Sequence, residues 1–87
     1  MNGPLSEQLS SAAVGVLGSM LIDEEAVGPM LMAVSEEDFQ QGEFRSIFRA
    51  VRELYGQGRP VDAIVVNEYL GGGYDKLLAE IIDLTPT

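Results

Sequence analysis

Histidine, cysteine and tryptophan are absent from this sequence, and lysine occurs once, as Lys76. Without cysteine there is no disulfide and no thiolate metal site. Without histidine the commonest general base and the commonest zinc ligand are both missing. Hydroxyl side chains remain, but none has an imidazole to activate it. Long apolar runs are missing too, and none approaches the ~20 residues that cross a bilayer. The first eleven residues, MNGPLSEQLSS, hold no basic side chain, so they do not read as a secretory signal. These absences describe a cytoplasmic chain that is not itself an enzyme, with no catalytic, cofactor-binding or metal-ligating residue to nominate and no membrane partner.

Positive charge is scarce as well. Fourteen acidic residues against 5 basic ones give a net charge of −9. Such a surface repels nucleic acid and anionic lipid, so a basic protein is a better partner than DNA. The 87 residues make one small domain. A chain of that size buries only about 60–65% of its unfolded surface, and its stability should be on the order of 5 kcal/mol. Hydrophobic residues at 46% suit a folded globule.

What is present is helical patterning. In Phe44 to Asp62, Phe44, Ile47, Phe48, Val51, Leu54 and Tyr55 fall on one side of a helix, and Arg45, Arg49 and Arg52 on the other. Gly56 and Gly58 are placed to stop this helix, Pro60 to prevent its resumption, and Asp62 to cap the next. This is the expected core helix, with the rest of the chain covering it.

Before it, Ser6 can cap a helix from Glu7 or Gln8 to about Leu21, with Leu9, Ala13, Val16, Leu17 and Met20 as its apolar stripe. Residues 1–6 are then a flexible leader, and 7–87 a single helical domain. Asp23 caps a helix from Glu24 to about Ala33, in which Pro29 predicts a late start or a kink. Ser35 caps a turn over Glu36-Glu37-Asp38, and Phe39 plugs the core. Ala63 to Leu70 reads as a helix by spacing and cap, although its β-branched residues make a strand the competing choice. After Gly71-Gly72-Gly73 a last helix runs from Tyr74 to about Leu84, burying Leu77, Leu78, Ile81 and Leu84. The fold class is all-α, a compact bundle of five or six short helices.

The chemistry-bearing motifs are few. No phosphate loop is present: the three glycines follow no strand and precede no Lys-Ser/Thr pair. From Asp23, a calcium loop would need glutamate in twelfth place, where Val34 stands. The clusters Asp23-Glu24-Glu25 and Glu36-Glu37-Asp38 read as first turns of helices, where the dipole favours acids. Two features stand out as candidate protein interfaces. One is the ridge of small residues Ser11, Gly15 and Gly18, which permits close approach of a neighbouring helix or, alternatively, of a partner's. The other is the stripe Arg45, Arg49 and Arg52, which reads either as a solvated face with weak ion pairs to Glu53 or other acids, or as an interface for an acidic patch.

The order of signals resembles the N-terminal domain of DnaB-like replicative DNA helicases. The residues that carry the resemblance are VLGSMLID from Val16 to Asp23, Glu37-Asp38-Phe39, Arg45 with Ile47-Phe48-Arg49-Ala50, Leu54-Tyr55, Gly58 with Pro60-Val61-Asp62, and Leu78-Ala79-Glu80 with Thr85-Pro86-Thr87. The family usually has Glu-Ala-Glu at Ser11-Ala12-Ala13, a histidine at Phe44, and a longer segment between Leu70 and Leu77. The resemblance implies an all-helical head from a hexameric ring helicase, part of a collar that engages copies of itself, primase and loader proteins. It places ATP, magnesium and unwinding in a motor domain beyond Thr87. As an isolated fragment the chain is expected to be a monomer or weak dimer. A free-standing acidic adaptor or a carrier-type protein is the alternative. A phosphopantetheine carrier needs serine after aspartate at a helix start, whereas Ser19 follows Gly18 and Ser46 follows Arg45.

Overall fold

Two aspartates start two of the helices. Asp23 accepts a hydrogen bond from the Glu25 amide at 3.0 Å, and Asp62 accepts one from the Val65 amide at 2.9 Å. Each satisfies an amide that the first helical turn leaves without a partner. The computed structural model describes residues 4–40 and 42–85, with side chains from residue 12 onward. The order is α1 (Pro4–Ile22), α2 (Glu24–Ala33), a 3₁₀ turn (Glu36–Asp38), α3 (Gly42–Gly56), α4 (Ala63–Tyr69) and α5 (Asp75–Leu84). The expected all-α bundle is found as five helices and one turn, with no strand among the described residues. The strand alternative over 61–70 gives way to α4.

One start differs from expectation, and another holds its expected place despite a proline. Helix α1 begins at Pro4, so Ser6 lies inside it and is not its cap. Proline suits a first helical position because its missing N–H would have had no partner there. Of the predicted leader, Pro4 to Ser6 therefore belong to α1, and residues 1–3 lie outside the described residues. Helix α2 begins at Glu24 in spite of Pro29, so its start is not late.

Helix α3 closes on Gly58, whose φ of 71° is left-handed. The Arg59 amide bonds the Leu54 carbonyl at 2.9 Å, and the Gly58 amide bonds that of Tyr55 at 3.0 Å. That pair of bonds is the Schellman ending. Gly56, expected to stop the helix, is instead its last residue. The end of α4 repeats the device at Gly71, and the loop returns when the Tyr74 amide bonds the Asn67 side chain at 2.8 Å.

Helix α3 contributes Phe44, Ile47, Phe48, Ala50, Val51 and Leu54 to the core. Leu17, Met20 and Leu21 reach them from α1, Val27 from α2, Val66 from α4, and Leu78 and Ile81 from α5. Phe39 plugs the core as expected, its ring centroid 4.9 Å from that of Phe48. The centre is nonetheless shared: α1 packs along both α5 and α2, while α3 lies against α1, α2, α4 and the 3₁₀ turn. Two apolar side chains assigned to helix stripes are largely outside: Tyr55 and Leu84 are 47% and 68% exposed. Helical spacing fixes the direction of a stripe, but the neighbouring helices decide how wide a stripe they cover.

Candidate protein-interaction surface

The polar side of α3 carries Arg45, Arg49 and Arg52 in a row, as the spacing requires. Phe39, anchored in the core, holds the 3₁₀ turn against this row. The turn is tied within itself: the Ser35 amide donates to the Asp38 carboxylate at 2.8 Å, and the Ser35 hydroxyl donates to Glu37 at 3.2 Å. Glu36 then meets two arginines at once, Arg49 at 2.8 Å and Arg52 at 3.2 Å. Arg45 donates to the Phe39 carbonyl at 3.1 Å, and the Arg52 guanidinium stands 5.8 Å from the centre of the Phe48 ring. The Arg49 hydrogen bond holds the Glu36 carboxyl below its ordinary range against a smaller opposing effect of desolvation. The hydrogen bond and charge of Arg52 add to the lowering.

All three arginines are therefore engaged within the chain, Arg49 and Arg52 on Glu36 and Arg45 on the Phe39 carbonyl. The stripe fastens the 3₁₀ turn, and an acidic partner would have to compete with Glu36 for it.

The ridge of small residues divides. A Cβ on Gly18 would collide with the Thr85 hydroxyl and lie 2.7 Å from its Cβ, so Gly18 is used for close packing inside the fold. That hydroxyl donates to the Ile81 carbonyl at 2.6 Å within α5 and reaches the Val14 carbonyl of α1 at 3.4 Å. Gly15 is different, with nothing within 4 Å of where its Cβ would stand. The side chain of Ser11 lies outside the described residues. Of the six nominated interface residues, Gly18 is interior, and the three arginines make contacts within the chain while the Arg49 and Arg52 side chains stay 59% and 46% exposed.

A feature that the sequence did not suggest is the groove between α4 and α5. Its volume is about 480 Å³. Ala63, Ile64, Ala79 and Ile82 supply its apolar lining, with Glu68, Asp75 and Asp83 among them. The three-glycine loop next to it leads into the first turn of α5, which suggests a phosphate cradle. The residues do not fit one: Asp75 stands in that turn, and Asn67 already occupies the Tyr74 amide. A carboxylate there opposes a phosphate.

Over residues 7–87 the sequence matches the family described as DnaB-like helicase N terminal domain. The chain belongs to this family. Among its relatives is the replicative DNA helicase DnaB of Rhodothermus marinus, 38% identical over 68 residues, covering 78% of this chain and 7% of the relative. The DnaB helicase of Nostoc sp. is 33% identical over 89 residues, covering 93% of this chain and 10% of the relative. That of Geobacillus stearothermophilus is 30% identical over 87 residues, covering 92% and 19%. The chain thus spans less than a fifth of the length of these relatives. No solved structure matches it significantly. Among the described residues of this DnaB-like N-terminal domain, no helix is long and apolar enough to cross a membrane.

Proposed function

We propose that this chain is the non-catalytic head of a cytoplasmic, ring-forming replicative DNA helicase, and that it works by binding proteins. The observation that carries the reading is the family match over residues 7–87, on a chain that closes a single helical core. In this reading copies of the head form part of the collar of a hexamer, and the collar receives primase and the helicase loader. ATP hydrolysis with magnesium, and unwinding of DNA, belong in the same reading to a separate motor domain of the parent protein. The acidic surface supports contact with proteins rather than with the DNA backbone.

The test is a pair of calorimetric titrations. Titration with the cognate primase should give saturable heat, and titration with ATP and magnesium should give none. Saturable nucleotide binding, or the absence of any primase binding, would overturn the assignment.

A further inference from the structure

The groove between α4 and α5 combines an apolar lining with acidic side chains. Asp62 fixes the phase of α4, so Val66 is fully buried, and Ile64, two residues earlier, points away and is 73% exposed. The groove is open because Ala63 and Ala79 bring little bulk to a place where larger side chains would close it. Its apolar floor includes Ile64 and Ile82. Its charged lining residues, Glu68, Asp75 and Asp83, are all acidic, and Lys76 is not among the lining residues.

We infer that this groove receives an amphipathic helix from a partner protein, with apolar side chains on its inner face and lysine or arginine on its flanks. Three arguments select that occupant. A volume of about 480 Å³ accommodates a few apolar anchors, which is how a helix seats in a groove. The three carboxylates complement cations on both flanks and repel the phosphates of nucleic acids and lipid headgroups. A second copy is disfavoured, because symmetric pairing would set like charges against each other on a chain of net charge −9. Three of the four arginines that another copy would bring are already engaged by Glu36 and the Phe39 carbonyl of their own chain. The inference rests on the reading of this domain as a binding module and adds the chemistry of one partner.

The probe is a synthetic helical peptide of leucine, alanine and lysine with its leucines on one face. It is titrated into the isotopically labelled protein and followed by amide chemical shifts. The shifts should concentrate in α4 and α5, and binding should weaken as salt rises. Ile64→Glu should weaken binding at least tenfold, and its side chain is exposed enough that the fold should survive. Asp75→Asn with Asp83→Asn should weaken it several-fold, whereas Glu24→Gln with Glu25→Gln, equal in charge but outside the groove, should leave it unchanged. A glutamate-flanked peptide with the same leucines should not bind. Equal effects of the two charge pairs would mean diffuse attraction and overturn the proposal, as would no binding at all. Concentration-dependent shifts in α4 and α5 of the protein alone would assign the groove to a second copy and also overturn it. Primase binding with a silent peptide would defeat this inference and leave the proposed function standing.

Discussion

Thr85 closes over Gly18 so tightly that no side chain fits at that position of α1. Gly15, one turn earlier, has open space where a Cβ would stand. The two glycines should therefore respond in opposite senses to the same substitution. Gly15→Ala removes a helix-interior glycine and should stabilise the protein by about 0.5–1 kcal/mol. Gly18→Ala gains the same propensity but must displace Thr85 and its bond to Ile81, with a net loss of about 1–3 kcal/mol. Urea melts of both variants decide it. If Gly18→Ala proves as stable as the parent, the packing of α5 on α1 described here is wrong.

Phe48 is 1% exposed, beneath the Phe39 ring on one side and the Arg52 guanidinium on another. Phe48→Ala should cost about 3–5 kcal/mol, the range for a fully buried aromatic. On a domain whose stability is on the order of 5 kcal/mol, most of it would go. A thermal or denaturant melt that finds a loss under about 1 kcal/mol would remove Phe48 from the core.

The elements that the sequence showed plainly are those set by neighbours in the chain. Asp23 and Asp62 cap helices because the amides they bind lie two and three residues on. Phe39 follows a turn closed by bonds from Ser35 to Glu37 and Asp38, two and three residues on, and the buried face of α3 follows from its own periodicity. What was hidden depends on distant residues. Gly15 and Gly18 look equivalent in the sequence, and only the arrival of Thr85 separates them. Glu36 lies 13 and 16 residues before the arginines it holds, and only the path of the chain through Phe39 brings them together. Tyr55 and Leu84 carry the right spacing for burial but stay 47% and 68% exposed, because neighbouring helices cover them only in part. The α4–α5 groove could not be read at all, because a gap between helices is a property of their packing.

The Glu36 clamp should be visible in a pH titration. Its carboxyl is held below the ordinary value of 4.5, first by the Arg49 hydrogen bond. A carboxyl depressed on folding contributes stability that is fully present above its unfolded value and is lost as pH falls through its folded one. The side-chain carbon resonance of Glu36 should thus titrate with a midpoint below 4.5, and Arg49→Gln should move that midpoint upward. A midpoint at the ordinary value in the parent, or no movement in the variant, would show that the clamp is not formed in solution.

The last prediction concerns assembly. The isolated chain should be a monomer or a weak dimer at micromolar concentration, even though the proposed parent is a ring of six. A net charge of −9 makes each copy repel the next. The most concentrated positive charge that could offset this repulsion is on α3, and Glu36 neutralises part of it within the same copy. A copy that used Arg49 or Arg52 to bind its neighbour would have to release the turn that Phe39 anchors. Gly15 offers open space but no apolar bulk, and the apolar lining of the α4–α5 groove is interleaved with Glu68, Asp75 and Asp83, which repel a second acidic copy. Light scattering across a sizing-column peak, at low salt and at 1 M salt, measures the outcome. At 1 M the screening length is about 3 Å, so a dimer held through the arginines should dissociate. A dimer that persists there would place the contact on an apolar patch instead. A stable hexamer of this chain alone would refute the argument, because its own contacts would then suffice to overcome the repulsion.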